Sequence, residues 1–275
     1  MLGQEFMRNA LLAGSFIGLA CGVCGWFVVV RGQVFAGDAL SHVAFPGALA
    51  AAAAGIDVRL GLFGATIAAA GAIGLLARRG GVVGGGTVAG PADDAAIGVA
   101  FTFILALGVF FLTRYSLGSQ GSAGIQAART LFGSIFGLGG GEALLAALIA
   151  AGVLVAIAAI ARPLLFASVA PDVAAARGVP TRRLDLALLV LVGVIAAEAS
   201  QAVGALLLLG LLTAPAAAAH RLAHSPGAGI ALAAGLALLS VWGGLTLAYL
   251  VPAIPPSSAI VACAVSIHIL AGVAR

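Results

Sequence analysis

Long apolar runs separated by short polar connections cover almost the whole chain. Nine of these runs approach the length of a membrane-spanning helix, since about 20 apolar residues cross the hydrocarbon core of a bilayer. They occupy residues 10–30, 34–55, 60–77, 95–113, 142–161, 184–200, 202–220, 228–250 and 257–273. A tenth apolar stretch, 125–138, is glycine-rich and too short to span comfortably. It predicts a re-entrant or interfacial helix that other parts of the protein cover.

The composition supports an all-α protein that crosses the membrane several times. Hydrophobic residues make up 63% of the chain, charged residues only 8%, and the mean hydropathy is +1.21. Soluble domains are about 25% charged, and a soluble protein of this composition would expose too much apolar surface. We therefore predict a single multi-pass transmembrane domain over residues 1–275, in the cell membrane. It should contain about eight to nine transmembrane helices, the re-entrant or interfacial helix and a short cytoplasmic helix.

The arginine distribution suggests how the chain is oriented. The net charge is +4, and every basic residue except histidine is arginine. Basic residues are enriched in the cytoplasmic loops of membrane proteins. An N-terminus on the outer side places nine arginines on the cytoplasmic side and four outside, which favours an N-out, C-in orientation. The arginines do not cluster as they do on nucleic-acid-binding surfaces, so no nucleic-acid partner is predicted.

Asp38 and His42 are the most informative polar residues, because they lie inside an apolar run. In a helix, residues four apart share one face, with their Cβ atoms about 5–6 Å apart. A carboxylate and an imidazole are costly inside a membrane, and such residues usually line an ion or proton path or pair with one another. The residues alone leave a metal path, a proton path and a purely structural pair as alternatives.

The connection at residues 162–183 is the most basic stretch of the chain. Within it, Pro171 and Asp172 are typical of a helix start, and Arg177 and Gly178 are typical of a helix end. The pattern predicts a short amphipathic helix on the cytoplasmic face. It is equally compatible with a helix that lies on the membrane surface and with a docking site for a cytoplasmic partner.

Other polar and small residues are weaker candidates. Glu198 and Gln201 lie where two predicted spans nearly meet, which is typical either of a solvated outer turn or of a place where cations gather before entry. Pro215 lies inside a predicted span, where proline kinks a helix. Cys21 and Cys24 form a single C-x-x-C within an apolar run, and without a second ligand pair this motif favours packing over metal binding.

Three segments contain sequence motifs in addition to their apolar pattern. They are Gly37–Gly47 (GDALSHVAFPG), Pro171–Gly178 (PDVAAARG) and Gln201–Ala219 (QAVGALLLLGLLTAPAAAA). In this order and at this spacing they resemble the membrane permease of zinc/manganese-type ABC importers, the ZnuB/MntB/TroC family. The first is similar to the family's G-D-x-[IL]-[SA]-H-x-x-x-P-G, the second to its D-P-E-x-A-x-x-x-G loop, and the third to its V-G-x-L-L-[IV]-x-x-L-L-I-x-P-A-A-T-A. One acid of the loop motif is missing, and Ala218 replaces the usual threonine.

The resemblance implies a permease that moves zinc, manganese or iron inward. Two permease copies would associate with two cytoplasmic ATP-binding subunits, and an extracellular metal-binding protein would deliver the ion. The chain has no Gly-Lys-Ser/Thr phosphate-binding motif. We therefore expect ATP on the partner subunit, no permanently bound cofactor and no enzymatic activity in this chain, whose natural environment is the membrane lipid.

The resemblance also assigns roles to individual residues. It implies that Asp38 and His42 are ligands of the transported metal, with Glu198 and Gln201 as lower-ranked candidates. The predicted cytoplasmic helix becomes a coupling helix that contacts the ATPase through Pro171, Asp172, Ala176, Arg177 and Gly178. Gating and close packing are expected at Gly37, Pro46, Gly47, Gly204 and Pro215.

Two further expectations can be compared with the structure or with experiment. Gly37 and Pro46 flank the Asp38/His42 pair and predict a local helix break, whose free carbonyls would help to coordinate a cation. The alternative function is a secondary transporter or channel that uses Asp38 and His42 for proton-coupled cation movement. An intramembrane enzyme is disfavoured, because the chain contains neither His-Glu-x-x-His nor Gly-x-Ser-x-Gly.

Overall fold

The computed structural model describes residues 4–80, 91–118, 131–205 and 207–273, and these ranges contain helices and turns but no strand. The helices are α1 (Glu5–Val30), α2 (Val34–Ala53), α3 (Val58–Gly80), α4 (Pro91–Gly118), α5 (Gly140–Val169), α6 (Pro171–Ala176), α7 (Thr181–Ala202), α8 (Leu208–Leu222), α9 (Pro226–Leu250) and α10 (Pro256–Val273). The prediction of an all-α membrane protein is confirmed.

Each of the nine predicted spans coincides with a helix. Six of the described helices are long and apolar enough to cross a membrane: α1, α2, α5, α7, α9 and α10. Helices α3 and α4 contain shorter apolar stretches, Val58–Gly74 and Thr102–Arg114, and α8 has only 15 residues. The apolar pattern therefore located the helices, while the number of transmembrane crossings stays a prediction.

Helix α1 lies at the centre of the bundle, in contact with α5, α7, α8 and α9. Three glycines at four-residue intervals, Gly14, Gly18 and Gly22, face α9 along one side of α1. A Cβ atom on Gly22 would lie 2.5 Å from the carbonyl oxygen of Ala233. Small residues at this spacing allow the backbones of membrane helices to approach closely. The α1–α9 contact therefore depends on the absence of side chains at these positions.

The chain is not helical between α7 and α8, where the sequence predicted a span over residues 202–220. Gly204 has a positive φ of 95°, a conformation that glycine adopts readily. A Cβ atom there would lie 2.6 Å from the Cα atom of Phe132. The backbone of Ser134 also donates a hydrogen bond to the carbonyl of Gln201, at 3.0 Å. The prediction of a helix start at residue 202 was wrong because a second chain segment packs against this turn.

The segment before α5 matches its prediction in part. Residues 125–130 of the predicted re-entrant helix lie outside the described residues. The part that is described contains a 3-10 turn at Ile135–Gly137, and the Ile135 side chain is fully buried. The described part of the glycine-rich segment therefore forms a short turn that is anchored in the protein by Ile135.

The connection that was predicted to be cytoplasmic is shorter than expected. Helix α5 continues through Pro163 to Val169, so the predicted loop start at residue 162 was wrong. Proline removes one helical hydrogen bond without always ending a membrane helix, because neighbouring groups satisfy the freed carbonyl. Helix α6 begins at Pro171 as predicted, Arg177 is its C-cap, and Gly178 follows with a φ of 78°.

Replacing Gly22 with alanine should destabilise the protein, because its Cβ atom would collide with the α9 backbone. Overpacking of this kind costs about 1–3 kcal/mol, and we expect a lower unfolding temperature in detergent. Gly235→Ala on α9 is the matched control, because a Cβ atom at Gly235 meets no other atom within 4 Å. Equal unfolding temperatures for the two variants, measured by intrinsic fluorescence, would contradict the close α1–α9 contact.

Candidate functional site

Asp38 and His42 face each other on α2. The Oδ1 atom of Asp38 lies 3.6 Å from the Nε2 atom of His42, and their side chains are 25% and 14% exposed. This separation is within the range of an ion pair but is longer than a good hydrogen bond. Because both side chains keep some accessible surface, a small cation can approach the carboxylate and the imidazole together. The prediction that the two residues share a helix face is confirmed.

Helix α2 is continuous through the pair. It runs without interruption from Val34 to Ala53, with Pro46 inside it, so the predicted break between Gly37 and Pro46 was wrong. Ser41 donates a hydrogen bond from its hydroxyl to the carbonyl oxygen of Asp38, at 2.7 Å. The backbone at the pair therefore remains helical, and the ligands that α2 offers here are side chains rather than free carbonyls.

The glycines and the proline around the pair bring α2 close to its neighbours. A Cβ atom on Gly37 would lie 3.2 Å from the side chain of Leu212 on α8, and one on Gly47 would lie 2.5 Å from the carbonyl oxygen of Gly61 on α3. Pro46 is buried, and its ring lies close to Gly108 of α4. These predicted packing residues therefore hold α2 against three other helices.

Among the described residues, this location brings together two side chains that could act as metal ligands, Asp38 and His42. Among the residues that the structure describes, no group of three or more His, Cys, Asp and Glu side chains is arranged to hold a metal ion. A tight structural zinc site takes four ligands. The pair is consequently suited to transient contact with a cation rather than to permanent binding.

A buried ion pair joins Arg31 to Asp185. Arg31 caps the C-terminus of α1, Asp185 lies in the second turn of α7, and their side chains are 6% and 12% exposed. The Nε atom of Arg31 also donates to the hydroxyl of Ser168 at 2.8 Å, and its Nη2 atom donates to the carbonyl oxygen of Leu164 at 3.4 Å. One guanidinium therefore contacts three acceptors on α5 and α7.

A second buried ion pair joins Arg59 at the start of α3 to Glu198 near the end of α7. The Nη2 atom of Arg59 lies 3.0 and 3.1 Å from the two carboxylate oxygens of Glu198. The Glu198 side chain is only 1% exposed, so the interpretation of a solvated turn was wrong. A guanidinium already neutralises this carboxylate, which makes Glu198 a weaker candidate for contact with a cation than Asp38.

Gln201 and Gly204 follow shortly after Glu198, the acid of this second pair, in the chain. The carbonyl of Gln201 accepts the hydrogen bond from Ser134. Its Nε2 atom is buried and has no hydrogen-bond partner among the residues that the structure describes. The position of Gln201, one helical turn after Glu198, keeps it a lower-ranked candidate for contact with a cation.

The sequence analysis missed both arginine partners. Asp185 lies inside a predicted apolar run, just as Asp38 does, and an acid in such a run indicates a partner or a function. The sequence therefore indicated that Asp185 has a partner or a function. It did not indicate which residue is the partner, because Arg31 and Asp185 are 154 positions apart in the chain.

Helix α6 presents an exposed face at the junction of α5 and α7. Ala174 is fully buried against the bundle, whereas Asp172, Val173, Ala176 and Arg177 are exposed. The backbone N–H of Val179 donates to the carbonyl of Ala174 at 3.0 Å, which closes the helix end around Gly178. A short helix that is anchored by one buried residue and otherwise largely exposed is suitable for contact with another protein.

Comparison with known proteins supplies the family. Residues 3–275 match the model of the ABC 3 transport family. The chain is 30% identical over 245 residues to a manganese transport system membrane protein, MntC, of Halalkalibacterium halodurans, covering 89% of this chain and 79% of that protein. It is 27% identical over 221 residues to a probable iron transport system membrane protein of Haemophilus influenzae, covering 80% and 76%.

A solved structure agrees with the fold. The structure of PsaBC from Streptococcus pneumoniae in complex with Fab contains a chain that superposes with a TM-score of 0.81 at 27% identity, covering 98% of this chain and 91% of that one. The family match extends over nearly the whole sequence, and the resemblance noted from the three motifs is confirmed. This protein is an integral membrane permease that belongs to the ABC 3 transport family.

Proposed function

We propose that this chain is the membrane subunit of an ATP-driven importer of divalent transition metals, and that the ion passes the Asp38/His42 pair. The observation that carries the proposal is the approach of these two side chains to 3.6 Å on one face of α2, in a permease of the ABC 3 transport family. Manganese is the first candidate, because several relatives are named as manganese transporters. Zinc and iron are the other candidates.

The chemistry of the pair supports a transported metal. Carboxylates suit manganese, and imidazole suits zinc and iron. A conducting site must bind strongly enough for the ion to enter and weakly enough for it to leave. Two protein ligands satisfy this requirement, and water or the same pair in a second copy of the chain completes the coordination shell. A homodimer with the two Asp38/His42 pairs near its axis is part of this proposal.

ATP hydrolysis is assigned to a separate cytoplasmic subunit that contacts α6. The exposed face of α6 supports this assignment, as does its place in the most basic connection of the chain, which the arginine distribution puts on the cytoplasmic side. Pro171 and Asp172 start this helix, and Ala176, Arg177 and Gly178 end it toward the proposed ATPase. An extracellular metal-binding protein delivers the ion at the opposite face.

Removing either member of the pair should abolish transport. We expect Asp38→Ala and His42→Ala each to reduce uptake of radioactive manganese at least about 10-fold, since even the outer-shell partners of a metal ligand contribute 10–100-fold to affinity. Membrane insertion should be unchanged, as judged by the amount of protein in isolated membranes. Asp57→Asn and His224→Ala are the matched controls, because both residues are exposed. Wild-type uptake by both pair variants would refute the proposed path.

The identity of the metal can be measured in cells. A strain that lacks this chain should contain less manganese than the parent strain when external manganese is scarce, with restoration by the intact gene. Elemental analysis of manganese, zinc and iron in the same samples separates the three candidates. A deficit confined to zinc or to iron would correct the assigned metal, and no deficit in any of them would overturn the function.

A charge reversal on α6 should separate the ATPase from the permease. We expect Arg177→Glu to reduce the amount of ATPase that co-purifies with the permease in detergent, because the substitution places a negative charge on the exposed face. Arg8→Glu, at the opposite predicted membrane face, is the matched control. Undiminished co-purification and transport with Arg177→Glu would argue against α6 as the contact, and transport that depends on a proton gradient alone would favour the secondary transporter.

A further inference from the structure

Arg31 makes a group of contacts that neither the Asp38/His42 pair nor the proposed ATPase contact of α6 explains. Its guanidinium uses three nitrogen atoms for three different acceptors. They are the carboxylate of Asp185, the hydroxyl of Ser168 and the carbonyl oxygen of Leu164. Ser168 in turn donates to the same Leu164 carbonyl at 2.6 Å. This arrangement uses the planar, forked geometry of arginine, which the single ammonium of lysine does not reproduce.

The acceptors of Arg31 lie on both sides of α6 along the chain. Leu164 and Ser168 belong to the last turns of α5, and α6 begins two positions after α5 ends. Asp185 belongs to α7, which follows α6. The elements that carry the acceptors of Arg31 are therefore the two that the chain connects directly to α6.

Arg31 also lies directly before the turn that leads into α2. It is the C-cap of α1, and only Gly32 and Gln33 separate it from the first residue of α2. Gly32 has a positive φ of 66°, and the backbone N–H of Gln33 donates to the carbonyl of Val28 at 2.9 Å. Arg31 is therefore held in a tight turn, seven positions before Asp38.

Stabilisation of the folded protein does not by itself explain the contacts of Arg31. Replacing a buried ion pair with apolar side chains is often neutral or stabilising, because both charges must be desolvated. The pair between Arg59 and Glu198 joins only two helices, α3 and α7. Arg31, by contrast, connects the α1–α2 turn to both segments that flank α6.

We propose that Arg31 is a positioning residue that transmits movement of α6 to α2 and thereby to the Asp38/His42 pair. This inference rests on the proposed function, in which α6 receives its movement from an ATPase. The contacts of Arg31 with Asp185, Ser168 and Leu164 make α5, α7 and the α1–α2 turn move together. Without them, ATP is hydrolysed but α2 does not follow α6.

The test is the number of metal ions transported per ATP hydrolysed by the purified permease–ATPase complex in liposomes, with manganese as the probe. The double variant Arg31→Met with Asp185→Leu removes both charges, so no unpaired charge stays buried. We expect its transport-to-hydrolysis ratio to fall at least about 5-fold, the lower end of typical coupling between sites, while ATP hydrolysis continues. Arg31→Lys and Ser168→Ala, which keep the charge balance, should lower the ratio in the same direction.

Arg221→Met is the matched control, because Arg221 is exposed at the end of α8, and its ratio should equal that of the wild type. An unchanged ratio in the double variant would overturn the inference. So would an equal loss of transport and hydrolysis in all three variants, which would indicate a structural role only. A wild-type complex that transports metal without hydrolysing ATP would instead overturn the proposed function, and this inference with it.

Discussion

The absence of water inside a membrane is the constraint on which this structure depends, because every charged group there must find a partner. Two buried arginine–carboxylate pairs satisfy it on α7. Asp185 pairs with Arg31 near one end of the helix, and Glu198 pairs with Arg59 near the other. The two arginines lie on either side of α2 in the chain, Arg31 at the end of α1 and Arg59 at the start of α3. The segments that precede and follow α2, the helix that carries Asp38 and His42, are therefore both joined to α7.

The two pairs are separated along α7 by about two-thirds of the length of α2. Asp185 and Glu198 are separated by 13 positions on α7, which corresponds to about 20 Å at 1.5 Å per residue. Helix α2 has 20 residues, about 30 Å. Helices α2 and α7 contact each other, and the order of the two ion pairs along the chain makes them run in the same direction. The chain segments on either side of α2 are therefore held against the same helix.

The sequence predicted the helices well because the membrane imposes a simple pattern. A run of about 20 apolar residues has few alternatives to a helix, and each predicted run contains one. The errors occurred where distant segments meet. The turn at Gly204 depends on the backbone of Phe132, and α5 continues past Pro163 to Leu164 and Ser168, which contact Arg31. Neither contact leaves a signal in the local sequence.

The sequence also predicted only part of the candidate site, namely the residues that lie close together in the chain. Asp38 and His42 were predicted from two polar residues at helical spacing in an apolar run, whereas the partners of Asp185 and Glu198 could be identified only from the fold.

The partners of the three acids that lie inside α2 and α7 distinguish these acids from one another. Asp185 and Glu198 each face a guanidinium, whose permanent positive charge repels a metal cation and satisfies the carboxylate. Asp38 faces an imidazole, which in its neutral form is itself a metal ligand. A divalent cation therefore gains two ligands at Asp38 and would have to displace an arginine at either of the other acids. This difference in partner, more than burial or position, favours Asp38 and His42 over the other two acids in the proposed metal path.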